Sequence, residues 1–345
     1  MYDFTPAELE LIVNTMLKDY GLFFQPEKYS FVRQRLHSFA LDAGISDYSN
    51  LVLRVSKDAE LRRRLVEALV TNETWFFRHP KQFEILKREI LPELISEGYG
   101  KIRIWSAGCS NGAEAYSVLF LLLEAIKASS SERTIDILAT DISRRVLESA
   151  RRGRYNLAEL KEVDACRLSE YFERIDSESY VVKSQYREMV NFEKMNLFQD
   201  WPKQQFDIIL CRNTMIYFKR EDKKELSERF LKALKPGGYF FLGANESLDL
   251  NLYPSIDRAF ENKSSVYKKS HMVPQKAEIF FATAGDMIKA MNLMEKNNLK
   301  FDFGENILDQ DCTRSMILQE KHLERVLSIF QKRSIKIKEV KRHLL

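Results

Sequence analysis

Cysteine and histidine are scarce in this chain, and their spacing matters more than their number. The four cysteines, Cys109, Cys166, Cys211 and Cys312, stand far apart, with no C-x-x-C pair and no histidine at metal-ligand spacing. That pattern disfavours both a zinc site and a disulfide framework, so no metal ligand is expected. Long apolar runs are missing too. The longest, Val118 to Leu123, falls far below membrane-spanning length. The first residues, Met1-Tyr-Asp-Phe-Thr-Pro-Ala-Glu, lack the basic and apolar regions of a secretory signal. A cytoplasmic protein without direct membrane insertion is expected. Nor is either charge in large excess: 54 lysines and arginines face 50 acidic residues. So small a balance gives no electrostatic case for nucleic acid as partner, and any basic docking surface must be local.

What is present is an ordinary folding composition, with 45% apolar and 30% charged residues over 345 positions. That length accommodates two or three domains. Residues 1 to about 90 read as helical, with apolar residues at three and four spacing in Leu9, Ile12, Val13, Met16, Leu17 and again in Leu61, Leu65, Leu69. Thr5-Pro6-Ala7-Glu8 predicts a helix start with a capping box. From about 101, short apolar runs (Ile102 to Trp105, Ile135 to Ala139, Phe206 to Leu210, Tyr239 to Leu242) alternate with helical stretches, which predicts a parallel sheet covered on both faces. Tyr180-Val181-Val182 and Met189-Val190-Asn191-Phe192 read as the strands of a small antiparallel insertion at about 171–195. A polar stretch at 269–277 reads as a linker, and 278–345 follows with a strand-helix-strand-strand-helix-strand order, the ferredoxin-like arrangement.

The strongest local signal is Ile102-Arg-Ile-Trp105-Ser-Ala-Gly108-Cys-Ser-Asn-Gly112-Ala-Glu114, a strand entering a small-residue loop that opens an apolar helix. Such a loop lets a ligand approach the backbone closely. Asp141 ends the next strand, where a carboxylate can accept hydrogen bonds from ribose hydroxyls; it can equally serve as N-cap for a helix from Arg144. Phe206 to Asn213 ends a third strand at the same edge, and Leu234-Lys-Pro-Gly-Gly-Tyr239 leads into the next. No glycine fingerprint for pyrophosphate is present. The Ala-Gly-Cys-Ser-Asn-Gly loop and Lys-Pro-Gly-Gly turn instead resemble class I methyltransferases that use S-adenosyl-L-methionine.

Four blocks make the resemblance specific: Thr71-Asn-Glu-Thr-Trp-Phe-Phe-Arg78, Trp105-Ser-Ala-Gly-Cys-Ser110, Cys211-Arg-Asn-Thr-Met-Ile-Tyr-Phe218 and Pro236-Gly-Gly-Tyr-Phe-Phe-Leu-Gly243. They resemble, in order, the motifs of CheR-type chemotaxis receptor methyltransferases, over residues 1 to about 268. The resemblance implies a Rossmann-like α/β domain at 76–268 with an antiparallel insertion, preceded by a helical docking domain at 1–75. It implies that Asn72, Thr74 and Arg78 line the cofactor site from the helical side, with Glu114, Asp141, Asn196, Leu197, Arg212 and Asn213 from the nucleotide fold. Arg78 and Tyr217 would face the methyl group. S-adenosyl-L-homocysteine would be the product, and cytoplasmic helices of methyl-accepting receptors the partner. The chain departs from the family pattern at Asn111, Ala113, Ala115, Thr214 and Ala244-Asn245, which bears on the geometry of the cofactor loop. The tail resembles a small family of sulfur or selenium carrier-like domains, in element order and in Asp311-Cys312-Thr-Arg314. Cys312 reads as a reactive thiol or as an inert packed one.

The implied chemistry suits these residues. A glutamate acceptor is ionised at neutral pH and needs no base, so in-line positioning carries the reaction. Arg78 offers a planar donor fork to that carboxylate, and the Tyr217 hydroxyl could fix its second oxygen. Tyr217 also reads simply as a packed aromatic. Arg33 and Arg35 on one helix, and Arg62 to Arg64 on another, could steer acidic receptor helices or merely form solvated faces. The segment Phe172 to Tyr186 contains no glycine, which predicts recognition independent of the receptor's C-terminal pentapeptide, through Arg33 and Arg35. A methyltransferase for another substrate, and a non-catalytic receptor- or cofactor-binding adaptor, remain alternatives.

Overall fold

The computed structural model describes residues 4–45, 47–71, 73–96, 100–253, 255–260, 265–270, 276–281, 283–297, 299, 301–303 and 315–343. Two units emerge, one of Met1–Leu248 with Arg258–Lys268, the other of Asp249–Asp257 with Lys269–Leu345.

The first unit opens with α1 (Pro6–Tyr20), α2 (Tyr29–Asp42), α3 (Tyr48–Lys57) and α4 (Ala59–Leu69). Thr5 starts α1 as the sequence predicts: its hydroxyl accepts the Glu8 N–H, while the Glu8 carboxylate accepts the Thr5 N–H. Gly21, left-handed at φ 71°, ends the helix. Leu9, Ile12, Val13 and Met16 form one apolar stripe, which buries against Leu36, Leu51, Leu65 and Leu69 in a shared core. Next come α5 (Pro80–Ile85), a π-helical stretch at Leu86–Ile90, and α6 (Leu91–Ser96).

The sheet begins with β1 (Lys101–Ala107), α7 (Ala113–Ser129), β2 (Thr134–Asp141) and α8 (Arg144–Arg152). An insertion follows: β3 (Arg154–Asn156), α9 (Ala165–Tyr171), β4 (Phe172–Arg174), β5 (Ser179–Val182) and α10 (Ser184–Arg187). The chain then returns through β6 (Val190–Lys194), β7 (Phe206–Cys211), α11 (Arg220–Ala233), β8 (Leu234–Leu242), β9 (Ile256–Arg258) and β10 (Val266–Lys269). The seven-stranded order is β6-β2-β1-β7-β8-β10-β9, parallel from β6 to β8 with β10 antiparallel. Successive residues of β1 face opposite sides: Ile102 and Ile104 join the cluster with Tyr116 and Leu119 of α7, whereas the Trp105 ring lies 5.1 Å from that of Phe230 on α11. Both faces are therefore covered, as a parallel sheet requires.

One strand pairing differs from the sequence reading. Val190–Lys194 does not pair with Tyr180–Val182; it extends the main sheet, with Ile137 opposite Val190 and Ala139 opposite Phe192. Val190 and Phe192 are both buried in the core that also holds α7 and α8, and a period-two apolar pair of this kind gains more there than in a small outer sheet. The insertion's own sheet has order β3-β5-β4, built with Arg154-Tyr-Asn and Phe172-Glu-Arg. Those segments are too short and polar to announce themselves as strands.

In the second unit, β11 (Lys276–Phe281), α12 (Ala284–Lys296), β12 (Asp302–Phe303), β13 (Ser315–Gln319), α13 (Glu320–Lys332) and β14 (Ile337–His343) form a sheet of order β12-β13-β11-β14, with every neighbouring pair antiparallel. This is the ferredoxin-like topology that the element order predicts. Ile279, Met294, Met316, Val326 and Phe330 fill its core. Residues 271–275 of the expected linker, and Asp311 to Arg314 with Cys312, lie outside the described residues. Among the described residues, no helix is long and apolar enough to cross a membrane and no cluster of metal-ligating side chains occurs.

Candidate cofactor and acceptor cleft

β1, β2 and β7 run parallel, so their carboxyl ends at Ala107, Asp141 and Cys211 share one edge. Here the loop after β1 folds against the end of β2: the N–H groups of Gly108 and Cys109 both donate to the Thr140 carbonyl, at 2.7 and 2.9 Å. Gly108 is left-handed at φ 84°, and a Cβ there would strike the Thr214 side chain. Only glycine permits that approach. Gly112, at φ 87°, then starts α7.

Asp141 sits beneath this loop with 8% of its surface exposed. One carboxylate oxygen accepts the Ser110 N–H and the other the Ser143 N–H, each at 2.9 Å. Burial pushes its pKa above the ordinary aspartate value, and the backbone donors oppose that shift. The N-cap of α8 is Ser143, whose hydroxyl accepts the Val146 N–H. Asp141 is thus not the cap that the sequence left open, and each of its oxygens keeps acceptor capacity toward the cleft.

Arg212 follows β7 and is 7% exposed. Its guanidinium donates to Glu114 of α7 at 3.2 Å and to the Arg78 carbonyl, and stacks 5.1 Å from the Phe83 ring centroid. Glu114 also accepts the Ser106 hydroxyl at 2.7 Å. The next residue, Asn213, is left-handed at φ 58°. That turn is clamped by Glu246, a buried carboxylate accepting the N–H groups of Asn213 at 2.9 Å, Gly243 at 2.6 Å and Ile216 at 3.1 Å. Burial raises the Glu246 pKa against those three donors. Non-glycine left-handed residues gather around the cleft: Phe77, His79, Ser110 and Asn213. Strain of this kind concentrates where a scaffold fixes a functional loop.

The helical side supplies the opposite wall. Arg78 donates to the Glu73 carbonyl at 2.6 Å and lies 4.8 Å from the Trp75 ring centroid. Its Nε is buried without a partner among the described residues. Beside it, His79 contacts Asn213, and burial together with Arg212 and Arg78 lowers its pKa, which keeps the ring neutral. The Tyr217 hydroxyl is taken up by the backbone of one residue, accepting the Thr71 N–H at 2.9 Å and donating to the Thr71 carbonyl at 3.3 Å. Its proton is therefore committed, contrary to the free orienting hydroxyl expected from the sequence. Asn196 is likewise engaged, donating to the Asp19 carbonyl at 3.4 Å and accepting the Phe198 N–H at 3.0 Å.

Thr74, Arg78, Glu114, Asp141, Asn196, Leu197, Arg212, Asn213 and Tyr217 all line one cleft. Asn72 lies outside the described residues. Arg33 and Arg35 are elsewhere, on α2, and two residues apart on a helix they point about 200° away from each other. They cannot form one face. Arg35 instead lies over Phe31 at 5.2 Å, and exposed Arg64 of α4 over Phe39 at 5.8 Å. Arg62 and Arg63 are paired with Asp19 and with Glu60 and Glu67. Sequence reasoning missed Ile142 and Trp75, which line the cleft, and Glu246, which holds Asn213. Position at the carboxyl ends of β2 and β8 was the available signal for Ile142 and Glu246.

S-adenosylmethionine fits the donor set: spare lone pairs of a buried carboxylate for the ribose diol, Ile142 and Leu197 as apolar wall, and a glycine approach in place of a pyrophosphate loop. Fold and cleft together are those of a class I S-adenosylmethionine-dependent methyltransferase. A family model for the CheR methyltransferase SAM-binding domain matches residues 72–260, and one for the CheR all-alpha domain matches 7–70. The chain belongs to the CheR methyltransferase family. Among curated relatives, chemotaxis protein methyltransferase 1 of Pseudomonas aeruginosa is 37% identical over 249 residues, covering 70% of this chain and 91% of the relative. The chemotaxis protein methyltransferase of Vibrio parahaemolyticus is 36% identical over 253 residues (72% and 91%), and that of Borreliella burgdorferi 32% over 253 residues (71% and 89%).

Proposed function

We propose that this enzyme methylates glutamate side-chain carboxylates on the cytoplasmic helices of chemotaxis receptors, producing methyl esters and S-adenosylhomocysteine. The supporting observation is Arg78, a cleft-wall guanidinium with an unpartnered Nε and no carboxylate of its own among the described residues. Bound S-adenosylmethionine supplies an electrophilic methyl group. Arg78 receives the acceptor carboxylate through its donor fork and aims one oxygen into the cleft. No side chain need remove a proton, because the acceptor is already anionic. Asp141 holds the ribose; Glu114 and Arg212, buried and mutually paired, keep the Arg78 backbone in register. Tyr217 acts through Thr71, fixing the segment that carries Thr74 and Arg78.

In this reading the helical region at 1–75 docks the receptor, and 76–268 performs the chemistry. The docking face is carried by Arg35 and Arg64, on packed helices α2 and α4, in place of Arg33 with Arg35. Recognition proceeds through the methylation helices and not through the C-terminal pentapeptide: no residue from 154 to 212 has the left-handed backbone that a glycine-rich recognition loop needs.

The test is transfer from methyl-labelled cofactor to a receptor cytoplasmic fragment. Label released as methanol by mild base is expected. Base-stable label, or none above a heat-killed control, would reject the proposal.

A further inference from the structure

Trp75 carries a second cation besides Arg78. The Lys161 ammonium lies 3.8 Å from the same ring's centroid, and Trp75 lines the cleft. The two positive groups therefore flank an aromatic plate at the rim of the acceptor site.

Lys161 is held there by the chain around it. The turn from Asn156 to Val163 is closed by successive backbone bonds, Glu159 N–H to Asn156 O and Val163 N–H to Leu160 O. Buried Leu160 and partly buried Val163 anchor it in the sheet's core, while Lys161 is exposed. The Phe76 N–H donates to the Glu159 carbonyl at 2.9 Å, which ties this turn to the Trp75–Phe76 backbone. The turn's own acids, Glu159 and Glu162, are engaged elsewhere, while Glu73 lines the cleft with Trp75. Glu159 accepts Asn111 Nδ2 at 2.7 Å and the Asn156 N–H at 2.9 Å, and Glu162 lines a separate hollow with Phe77, Pro80 and Arg167. Lys161 has no ion-pair partner among the described residues, and neither has Arg78.

A cation seated on an indole loses little to its neighbour and keeps its outer N–H donors for another group. Two unneutralised cations held on one indole ring repel, and an anion beside them relieves that repulsion. We propose that Lys161 is a specificity-determining residue that binds a second carboxylate of the acceptor segment, one flanking the glutamate received by Arg78. On this account the enzyme selects glutamates in acidic surroundings over isolated ones. The inference rests on the glutamate-acceptor reading above.

The experiment measures steady-state methyl transfer to a chemotaxis receptor cytoplasmic fragment, and to the same fragment with the acids flanking its methylated glutamates changed to glutamine. Wild type should show a KM about two- to fivefold higher for the neutralised fragment, the range of one partly screened charge pair. Lys161→Gln should raise KM for the acidic fragment to that level, leave kcat and S-adenosylhomocysteine affinity unchanged, remove the difference between fragments and flatten the salt dependence. Lys161→Arg should restore the preference. A Lys161→Gln variant that still discriminates as wild type does, or that loses kcat without changing KM, overturns the proposal. Failure of the wild type to methylate either fragment rejects the acceptor reading itself, and this inference with it.

Discussion

Tyr217 and Thr71, 146 positions apart in sequence, meet through the backbone of a single residue: the phenol accepts the Thr71 N–H at 2.9 Å and donates to the Thr71 carbonyl at 3.3 Å. A second tie runs the other way, from the Phe23 N–H to the Tyr217 carbonyl at 2.7 Å. The loop after β7 is thereby fastened to the segment bearing Thr74 and Arg78. Tyr217→Phe should lower stability by about 0.5–1.5 kcal/mol, one ordinary hydrogen-bonding group's worth. It should also weaken S-adenosylhomocysteine binding about three- to tenfold, because one cleft wall loses its register. Calorimetric titration beside turnover distinguishes this from direct orientation of the acceptor, in which kcat alone would fall and affinity would hold.

Asp141→Ala should reduce cofactor affinity roughly 10- to 100-fold, the range for a lost charged acceptor. Its pH dependence follows from the raised pKa. The carboxyl becomes protonated at a higher pH than a free aspartate, so cofactor affinity should start to fall on acidification while still above pH 3.8. For folding the sign is opposite. A raised folded-state pKa contributes stability below the unfolded value and loses it as pH rises through the folded one, so this group gives the apoprotein no acid-induced loss. Affinity measured across pH 4 to 7 should lose this dependence in the Ala variant. A wild-type affinity that stays flat over that range would contradict the assignment.

Gly108 answers to two constraints, a φ of 84° and the Thr214 side chain that a Cβ would strike. Gly108→Ala should therefore cost about 1–2 kcal/mol for the left-handed backbone alone, with steric repulsion added. Thr214→Ala removes the hydroxyl and methyl that the new Cβ meets, so Gly108→Ala with Thr214→Ala should melt above Gly108→Ala. A double-mutant cycle with no coupling between the two positions would show that the contact is not felt.

The sheet could be read from the sequence because its buried parallel strands are continuous apolar runs, and α1 because Thr5 and Glu8 carry its cap. The cleft residues could be read only where a motif fixed them. Glu246 escaped because its work is tertiary: three N–H groups from two loops converge on it, and no spacing in the chain encodes that meeting. Tyr217 was placed at the site, but a hydroxyl's partner cannot be inferred from its own neighbours in sequence, and Thr71 is such a partner. Val190–Lys194 was visible as a strand yet assigned to the wrong sheet. Period-two patterning says that a strand has a buried face without saying which core receives it.

The β4–β5 hairpin bears on how a receptor is recruited. Its connection, Ile175-Asp-Ser-Glu178, is closed by Asp176, which accepts the Glu178 N–H at 2.9 Å, the Ser179 hydroxyl at 2.6 Å and the Arg154 guanidinium at 2.8 Å. Those partners, Ser179 foremost, hold the Asp176 carboxyl below the usual aspartate range. The edges offered by β3 and β4 are three residues each, which leaves few backbone groups for an added strand. A tethering pentapeptide raises effective concentration, and its removal from the substrate of an enzyme that depends on it lowers methylation by orders of magnitude. For this chain, a receptor truncated by its last five residues should be methylated within about twofold of the intact receptor, since recognition through the methylation helices loses no contact. The comparison is made at substrate concentrations below KM, where a lost tether is most visible. A tenfold or greater drop on truncation would mean that the hairpin binds the tail despite its closed turn.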